Sequence, residues 1–282
     1  MSGSGDIVRG IDHLIVMVRD LERAERTWRA LGFHITPRGF HASGGTANHL
    51  LMLERTYIEL LGLASPSADS PYRRMMEDDP GLSGLALRGA AADTYRYWRA
   101  QGLEPSPPES LSRGVEIDGR TEMARFRLTR LQRSAELPFL TFCCEHLTPQ
   151  FVWQEDAPRH PNGARSLQEL IIVVDGEQTP AGFARIAGHA VRNRRDEGSL
   201  ELGGCRITFQ SPGAFLRRFG SEAGFRLGRL PTLAAFVLTT IDPTRARRFA
   251  EEAGWRVLCT RSGGFTVPVP SEGVVIEWSP AT

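Results

Sequence analysis

The sequence predicts an α+β protein built from four copies of one strand–helix–strands unit, and three observations carry that prediction. Asp20 and Gly32 recur as Asp242 and Gly254, both displaced by 222 residues (242 − 20 and 254 − 32), and the dipeptide Arg23-Ala24 recurs as Arg245-Ala246. Trp28 and Gly32 recur as Trp98 and Gly102, displaced by 70 (98 − 28 and 102 − 32). Each of these helical stretches is preceded by an apolar run and followed by alternating strand patterns. Self-similarity of this kind marks a repeated supersecondary unit, here βαβββ.

In the first unit, residues 14–18 read as a short apolar strand and Asp20 as the helix cap. Leu21, Ala24, Trp28 and Leu31 fall at helical spacing, Gly32 stops the helix, and residues 33–35 open a new strand. Residues 50–53 and 57–61 complete the unit. In the second, residues 82–88 form a strand, Asp93 begins a helix carrying Tyr95 and Trp98, and strands follow at 123–128 and 140–144. The third has a strand at 170–174, a short helix at 180–187 stopped by Gly188, and strands at 200–202 and 205–209. The fourth has a strand at 236–240, a cap at Asp242, and a helical stripe of Ala246, Phe249, Ala250 and Ala253. Trp255 starts its next strand, and strands at 264–269 and 274–278 end it. Ser-, Pro- and Gly-rich joints at 65–71, 154–165 and 210–229 separate the units. Paired units of this type share one curved sheet, so the expectation is two domains, 8–153 and 166–282, with eight strands each.

Composition narrows the partners. Lys plus Arg number 34 and Asp plus Glu 33, a balance that argues against nucleic acid or an anionic membrane surface. Residues 1–5 lack an apolar stretch, so no signal peptide is expected, and runs such as 233–238 fall far short of the ~20 residues that span a bilayer. Four cysteines without a CxxC pattern, two of them the adjacent Cys143 and Cys144, point to a reducing compartment, the cytoplasm. The pairs Gly44-Gly45 and Gly263-Gly264 belong to no nucleotide-binding fingerprint, and no GxSxG is present. The Arg runs at 192–195 and 245–248 read as solvated faces.

The phrases GIDHLIVMVRDLERAERTWRALGF, GTANHLLML…TYIELLGL and CCEHLTPQFVWQ…RHPNGA resemble the glyoxalase-like branch of the vicinal-oxygen-chelate superfamily. The first two cover unit one and the third the end of unit two and the following joint; units three and four match in layout alone. The resemblance implies two glyoxalase-like domains of curved mixed sheet, each a bowl whose first and last strands supply metal ligands from inside. The superfamily spans glyoxalase I, extradiol dioxygenases, epimerases, fosfomycin-resistance transferases and metal-free drug-binding proteins, so fold does not fix the reaction.

By position, the resemblance assigns His13 and Glu59 as ligands in unit one. The counterpart of His13 in unit two is Ser83, a poor ligand, and the end of the last strand offers His146, on the same parity as Cys144. His13, Glu59 and His146 would hold a divalent metal (zinc, iron, manganese or nickel) and leave positions open for substrate. Glu59 doubles as a catalytic group. A carboxylate inside an apolar strand is costly to bury unless paired or metal-bound; for His13 and His146 the plainer alternative is a structural histidine at a strand end. Asn48, His49, Tyr57 and Trp153 are expected to contact substrate, and His160 reads as a turn residue. In the second bowl the corresponding positions are Glu169, Ala235, Thr208 and Glu277, without a histidine, so that half is expected to be structural or to close the first.

The leading expectation is a metal-dependent enzyme for a small oxygen-bearing substrate, lyase or isomerase first and dioxygenase second. The alternatives are a metal-free protein that sequesters a small hydrophobic or aromatic compound through Trp153, Tyr57 and Phe142, and an inactive relative. Pairing into a homodimer is left open.

Overall fold

A computed structural model describes residues 7–41, 45–117, 119–154, 159–194, 197–260 and 263–281. The first sheet contains β1 (Gly10–Met17), β2 (Gly39–Phe40), β3 (Thr46–Met52), β4 (Tyr57–Leu63), β5 (Gly81–Arg88), β6 (Glu109–Ile117), β7 (Arg120–Arg130) and β8 (Leu140–His146). Their order is β2-β3-β4-β1-β5-β8-β7-β6. The second sheet contains β9 (Ala164–Val173), β10 (Arg192–Arg194), β11 (Glu197–Leu202), β12 (Cys205–Gln210), β13 (Thr232–Thr240), β14 (Leu258–Cys259), β15 (Phe265–Val269) and β16 (Val274–Pro280). Its order, β10-β11-β12-β9-β13-β16-β15-β14, is the same topology again. In each sheet the opening strands of the two units, β1 and β5 or β9 and β13, pair antiparallel at the centre, and each runs parallel to the last strand of its own unit. The fourfold βαβββ reading therefore describes this chain: two curved mixed sheets with few helices.

The helices are α1 (Leu21–Ala30), α2 (Arg73–Asp78), α3 (Ala91–Ala100), α4 (Gln178–Ala187), α5 (Pro212–Phe219) and α6 (Pro243–Glu252). Asp20 caps α1 by accepting from the Arg23 N–H, and Asp242 caps α6 by accepting from the Arg245 N–H, at 3.0 and 2.9 Å. These equivalent bonds satisfy a donor the helix leaves open. Helix α3 starts at Ala91, two residues before the expected Asp93.

Other expectations need correction. Residues 33–35 form no strand: Phe33 and Ile35 turn into the core instead, and β2 is only two residues long. The joint at 210–229 is mostly helical, holding α5 and a 3-10 turn (Ser221–Leu227), and α2 occupies the equivalent joint between β4 and β5. Strand β6 had no place in the sequence reading, because its largely polar, half-exposed residues show no apolar alternation; its pairing along nine residues of β7 makes it a strand. Residues 192–194 are the strand β10, whereas Arg247 and Arg248 of the other Arg run pair with Glu251 and Glu252 on the surface of α6. The stretches 1–5 and 155–158, residue 195 and Gly44 lie outside the described residues.

The helix-side faces of both sheets share one apolar core. Trp28 stacks on Phe236 of β13 at 6.5 Å, and the Trp98 indole N–H donates to the Ile186 carbonyl at 3.0 Å. Gly32 (φ +80°) sits where the halves meet: a Cβ there would lie 2.7 Å from the Phe249 ring, so only glycine fits both the conformation and the space. Trp28 and Trp98 are fully buried, and truncating such a side chain to alanine costs about 3–5 kcal/mol. Among the described residues no helix is long and apolar enough to cross a membrane.

Candidate functional site

Side chains alternate along a strand. On β1, Leu14 and Val16 enter the shared core, while His13 and Ile15 face the concave side of the first sheet. That side encloses a cavity of 380 Å³. An isolated bridge between His41, just after β2, and Arg113, in the middle of β6, ties the two sheet edges together and closes the bowl around it.

Glu59, on β4, lies at the centre of the polar wall and is buried. Its Oε1 accepts from Asn48 Nδ2 at 2.6 Å and lies 3.7 Å from His41 Nε2; its Oε2 lies 3.6 Å from His13 Nε2. Both imidazoles are pinned from behind. His13 Nδ1–H donates to Asp12 Oδ1 at 2.8 Å, and His41 Nδ1 is hydrogen-bonded to Thr46 Oγ1 at 2.8 Å. Because Asp12 accepts, Nδ1 of His13 carries a proton and Nε2 is the ring nitrogen turned to Glu59. Burial pushes His41 below the ordinary imidazole range, against the pull of Glu59, which keeps it neutral at pH 7. Tyr57 stacks on His13 at 4.4 Å, and burial, then the charge of Asp12, raises its phenol well above the usual range.

Asp12 was not singled out from the sequence, although it precedes His13. Burial alone would raise its carboxyl, but hydrogen bonds from His13 and His146 outweigh that and hold it well below the usual range. It accepts from His146 Nε2 at 3.0 Å and faces Arg88 Nε at 3.5 Å. His146 thus reaches the site only through Asp12. Its Nδ1 has no hydrogen-bond partner, and its ring lines a separate recess with Arg88 and Trp153 rather than the cavity. The shared parity of Cys144 and His146 does not place them alike, since Cys144 does line the cavity.

Of the residues singled out from the sequence, the structure brings His13, Glu59, Asn48 and Tyr57 together. His49, the next residue on β3, necessarily faces the other side, with Nδ1 hydrogen-bonded to the Thr36 carbonyl at 2.8 Å and Nε2 3.5 Å from Glu25 of α1. Trp153 packs behind the wall, 5.8 Å from Tyr57 and beneath the Arg88 guanidinium. Phe142 lines the cavity. His160 is buried in the joint, where Nδ1 accepts from the His34 N–H and Nε2 donates to the Met52 carbonyl. His41 and Arg113 were missed because both sit where the sheet edges meet, a long-range contact with no local signature. For Arg113 one signal was available: Asp118-Gly119, the strongest short hairpin motif, sits between the paired residues Ile117 and Arg120.

Asp12, His13 and Cys144 bring ligand atoms within 4.8 Å of one another. That set is poorly suited to a metal. Asp12 already serves two imidazoles, and burial, then Asp12 itself, raises the Cys144 thiol well above its usual range. The thiolate is the metal-binding form.

In the second bowl the equivalent positions also converge, around a different centre. Arg218 of α5 donates to both oxygens of Glu169, at 3.1 and 2.7 Å, and to Glu277 Oε2 at 3.2 Å; Thr208 donates to Glu169 Oε1 at 2.5 Å. Burial would raise both carboxyls, but the two-pronged contact with Arg218 holds Glu169 below its usual range, whereas Glu277, with one bond, is raised.

The family model for the glyoxalase-like domain matches residues 11–187. No curated protein sequence matches the chain. Among solved structures, a hypothetical protein from Staphylococcus aureus superposes with a TM-score of 0.70 at 13% identity, covering 96% of this chain and 99% of that one. A mutant of 4-hydroxymandelate synthase from Streptomyces coelicolor superposes at 0.67 with 11% identity, over 97% of this chain and 93% of that one. A fusion of a xylose isomerase-like TIM barrel with 4-hydroxyphenylpyruvate dioxygenase superposes at 0.63 with 15% identity, over 98% of this chain and 50% of that one. At such identities these likenesses speak for the fold alone. With the family model matched across more than half of its length, the chain belongs to the glyoxalase-like domain family of the vicinal-oxygen-chelate superfamily.

Proposed function

We propose that the first bowl is the divalent-metal site of an enzyme acting on a small oxygen-bearing substrate, of lyase or isomerase type first and dioxygenase type second. The observation that carries the reading is the convergence of two imidazole nitrogens, His13 Nε2 and His41 Nε2, on the two oxygens of the buried Glu59. The gaps, 3.6 and 3.7 Å, are too long for hydrogen bonds. Each gap runs to a different oxygen of Glu59, so the two imidazoles flank the carboxylate, and a metal held by all three would draw them closer together. Two histidines and one carboxylate with open positions suit zinc, iron, manganese or nickel. Asp12 orients His13 as an outer carboxylate does in many metal sites. His146 stands as the alternative third ligand.

A metal there would polarise a substrate oxygen as a Lewis acid. The protein supplies the rest. Glu59, a carboxylate with a second oxygen, is the group in the cavity able to accept a proton, Asn48 fixes it, and apolar side chains line the rest of the wall. We assign the bowls to two glyoxalase-like domains, 8–153 and 166–282, and the protein to the cytoplasm. The apolar lining also favours a second reading, a metal-free binding protein for a small hydrophobic compound.

The test is to melt wild type, Glu59→Ala, His41→Ala and His146→Ala, each with and without added metal, after measuring the metal content of tag-free protein. We expect metal to raise the melting temperature of wild type and His146→Ala, and to leave Glu59→Ala and His41→Ala unmoved. A metal response lost in His146→Ala and kept in His41→Ala restores His146 as the ligand. Equal shifts in wild type and Glu59→Ala, or none in either, remove the metal reading and leave the binding protein.

A further inference from the structure

Arg113 projects from β6 into the cavity and is 6% exposed. Its guanidinium makes no hydrogen bond or ion pair with any described residue; its one close ring contact is the face of Phe126, 6.0 Å from the guanidinium carbon. Its neighbour Arg130 differs, being paired with Glu109 at the cavity wall. Glu59 is engaged by Asn48 and faced by His13 and His41, and lies outside ion-pair distance of Arg113. A buried cation without a counter-ion is unfavourable, and evolution of a stable core removes it unless something binds to it. Here the guanidinium faces a cavity that has the polar wall around Glu59 and, beside it, apolar walls of Ile15, Leu61, Leu111, Phe126, Leu128 and Phe142.

We propose that the first bowl takes an anionic ligand, a small carboxylic acid with an apolar or aromatic body, whose carboxylate pairs with Arg113. The fork of a guanidinium matches the two oxygens of a carboxylate, which supplies both charge and direction. The fixed charges lining the cavity agree: Arg113 and Arg130 cancel Glu59 and Glu109, so a divalent cation at His13, His41 and Glu59 leaves the site net positive. The carboxylate at Arg113 would hold the ligand by one end and present the rest of it to the Glu59 wall. This assignment rests on the first bowl being the ligand site, but not on metal being present, since Arg113 carries its charge in either case.

The experiment measures binding by calorimetry, with benzoate, phenylacetate and hexanoate, each beside its primary amide, and with phenylphosphonate. Wild type, Arg113→Met and Arg113→Lys are compared, each with and without prior chelation. At least one carboxylate is expected to bind wild type about tenfold or more tightly than its amide, to lose that margin in Arg113→Met, and to recover part of it in Arg113→Lys, which keeps the charge without the fork. Chelated wild type is expected to retain the Arg113-dependent margin. In that case a failure of the metal reading leaves this inference standing, and the two are separable. The proposal is overturned if no carboxylate binds, if acids and amides bind alike, or if Arg113→Met leaves carboxylate affinity unchanged. Tight binding of phenylphosphonate with none of the carboxylates overturns it in favour of a phosphoryl ligand. The wild-type comparison of acid with amide needs no variant, so a folding defect in Arg113→Met leaves the test decisive.

Discussion

The two sheets of this chain share a topology to the strand, yet the first bowl has a cavity with apolar walls, whereas a helix covers the apolar inner face of the second and leaves a polar recess of 370 Å³ around Glu169, Arg218 and Glu277. The difference lies in one connection rather than in the strands. Between β4 and β5 the chain makes the six-residue α2, which inserts Met76 and leaves Tyr72 at the cavity wall. Between β12 and β13 the equivalent connection makes α5, which drives Phe215 and Phe219 into the bowl, both fully buried, and lays Arg218 across Glu169 and Glu277. Each bowl therefore holds an arginine facing carboxylates and apolar walls. In the second the arginine is answered by the protein itself; in the first, Arg113 is not. The connector covers the apolar inner face of the second bowl, and the inward positions differ between the halves: histidine at the opening strand in one, glutamate and alanine in the other.

Removing the plug's charge should give the largest effect. Arg218→Met leaves Glu169 and Glu277 without the guanidinium that joins them, with Arg206 as the cation still lining the recess. Losing one partner of such a buried ionic set costs about 3–5 kcal/mol. The urea midpoint should fall accordingly, and Glu169→Gln placed on the same background should recover part of the loss by removing the repulsion. Metal content should be untouched in both, since the candidate ligands lie in the other sheet. A cost below about 1 kcal/mol would show that α5 covers the bowl without being held by its charges.

The joint between the halves gives the next effect. Burial pushes His160 down to about 4 from its ordinary 6.5, and its hydrogen bond to the Met52 carbonyl only partly offsets that. As pH falls, the unfolded chain takes up the proton first, near 6.5, and the folded protein only near 4. The contribution of His160 is therefore complete above pH 6.5, declines between 6.5 and about 4, and is lost below. At 1.36 kcal/mol per pH unit the drop amounts to roughly 3 kcal/mol across that window. Stability measured from pH 7 to 4 should show this slope in wild type and a shallower one in His160→Gln. Parallel slopes would assign the acid sensitivity to other groups.

Much of this comparison was legible in the sequence. The Asp…Gly register joined units one and four, the Trp…Gly pair added unit two, and unit three followed from its layout and Gly188, because helix stops are local; the family resemblance then mapped Glu169, Thr208 and Glu277 onto corresponding positions of one bowl. Glu59 stood out because a carboxylate amid Ile58, Leu60 and Leu61 has to be accounted for. Parity separated Asn48 from His49 in principle, yet one residue's error in which face is concave turns the answer over. Parity misled outright for His146, where the strand ends and Asp12 captures the ring. The part played by the residues that close the first bowl, His41 and Arg113, and by the helix that covers the second was beyond reach for a common reason. Each acts through contacts between segments far apart in the chain; α5 does carry Phe215, Leu216 and Phe219 at helical spacing behind the Ser211 cap, so the helix was legible although its place over the bowl was not.

The smallest expected effect is the one that bears most directly on the contrast between the bowls. Arg113→Met removes a guanidinium that no described residue pairs and replaces it with an apolar chain of similar reach. Its neighbours on that wall, Leu111 and Phe126, are apolar. Truncating Arg218 strands two carboxylates; truncating Arg113 strands nothing, because its one contact is the Phe126 ring, worth about 0.5–1 kcal/mol as a cation–π pair. Against that loss stands relief from burying an unanswered charge, which acts in the opposite direction. The two terms are of similar size, so the urea midpoint of Arg113→Met should match wild type within about 1 kcal/mol, or exceed it. Should Arg113→Met cost as much as Arg218→Met, Arg113 belongs to the framework of the first bowl, and the two arginines do the same job in both halves. A neutral or stabilising result, obtained in the absence of ligand, is what a residue kept for something outside the chain would give.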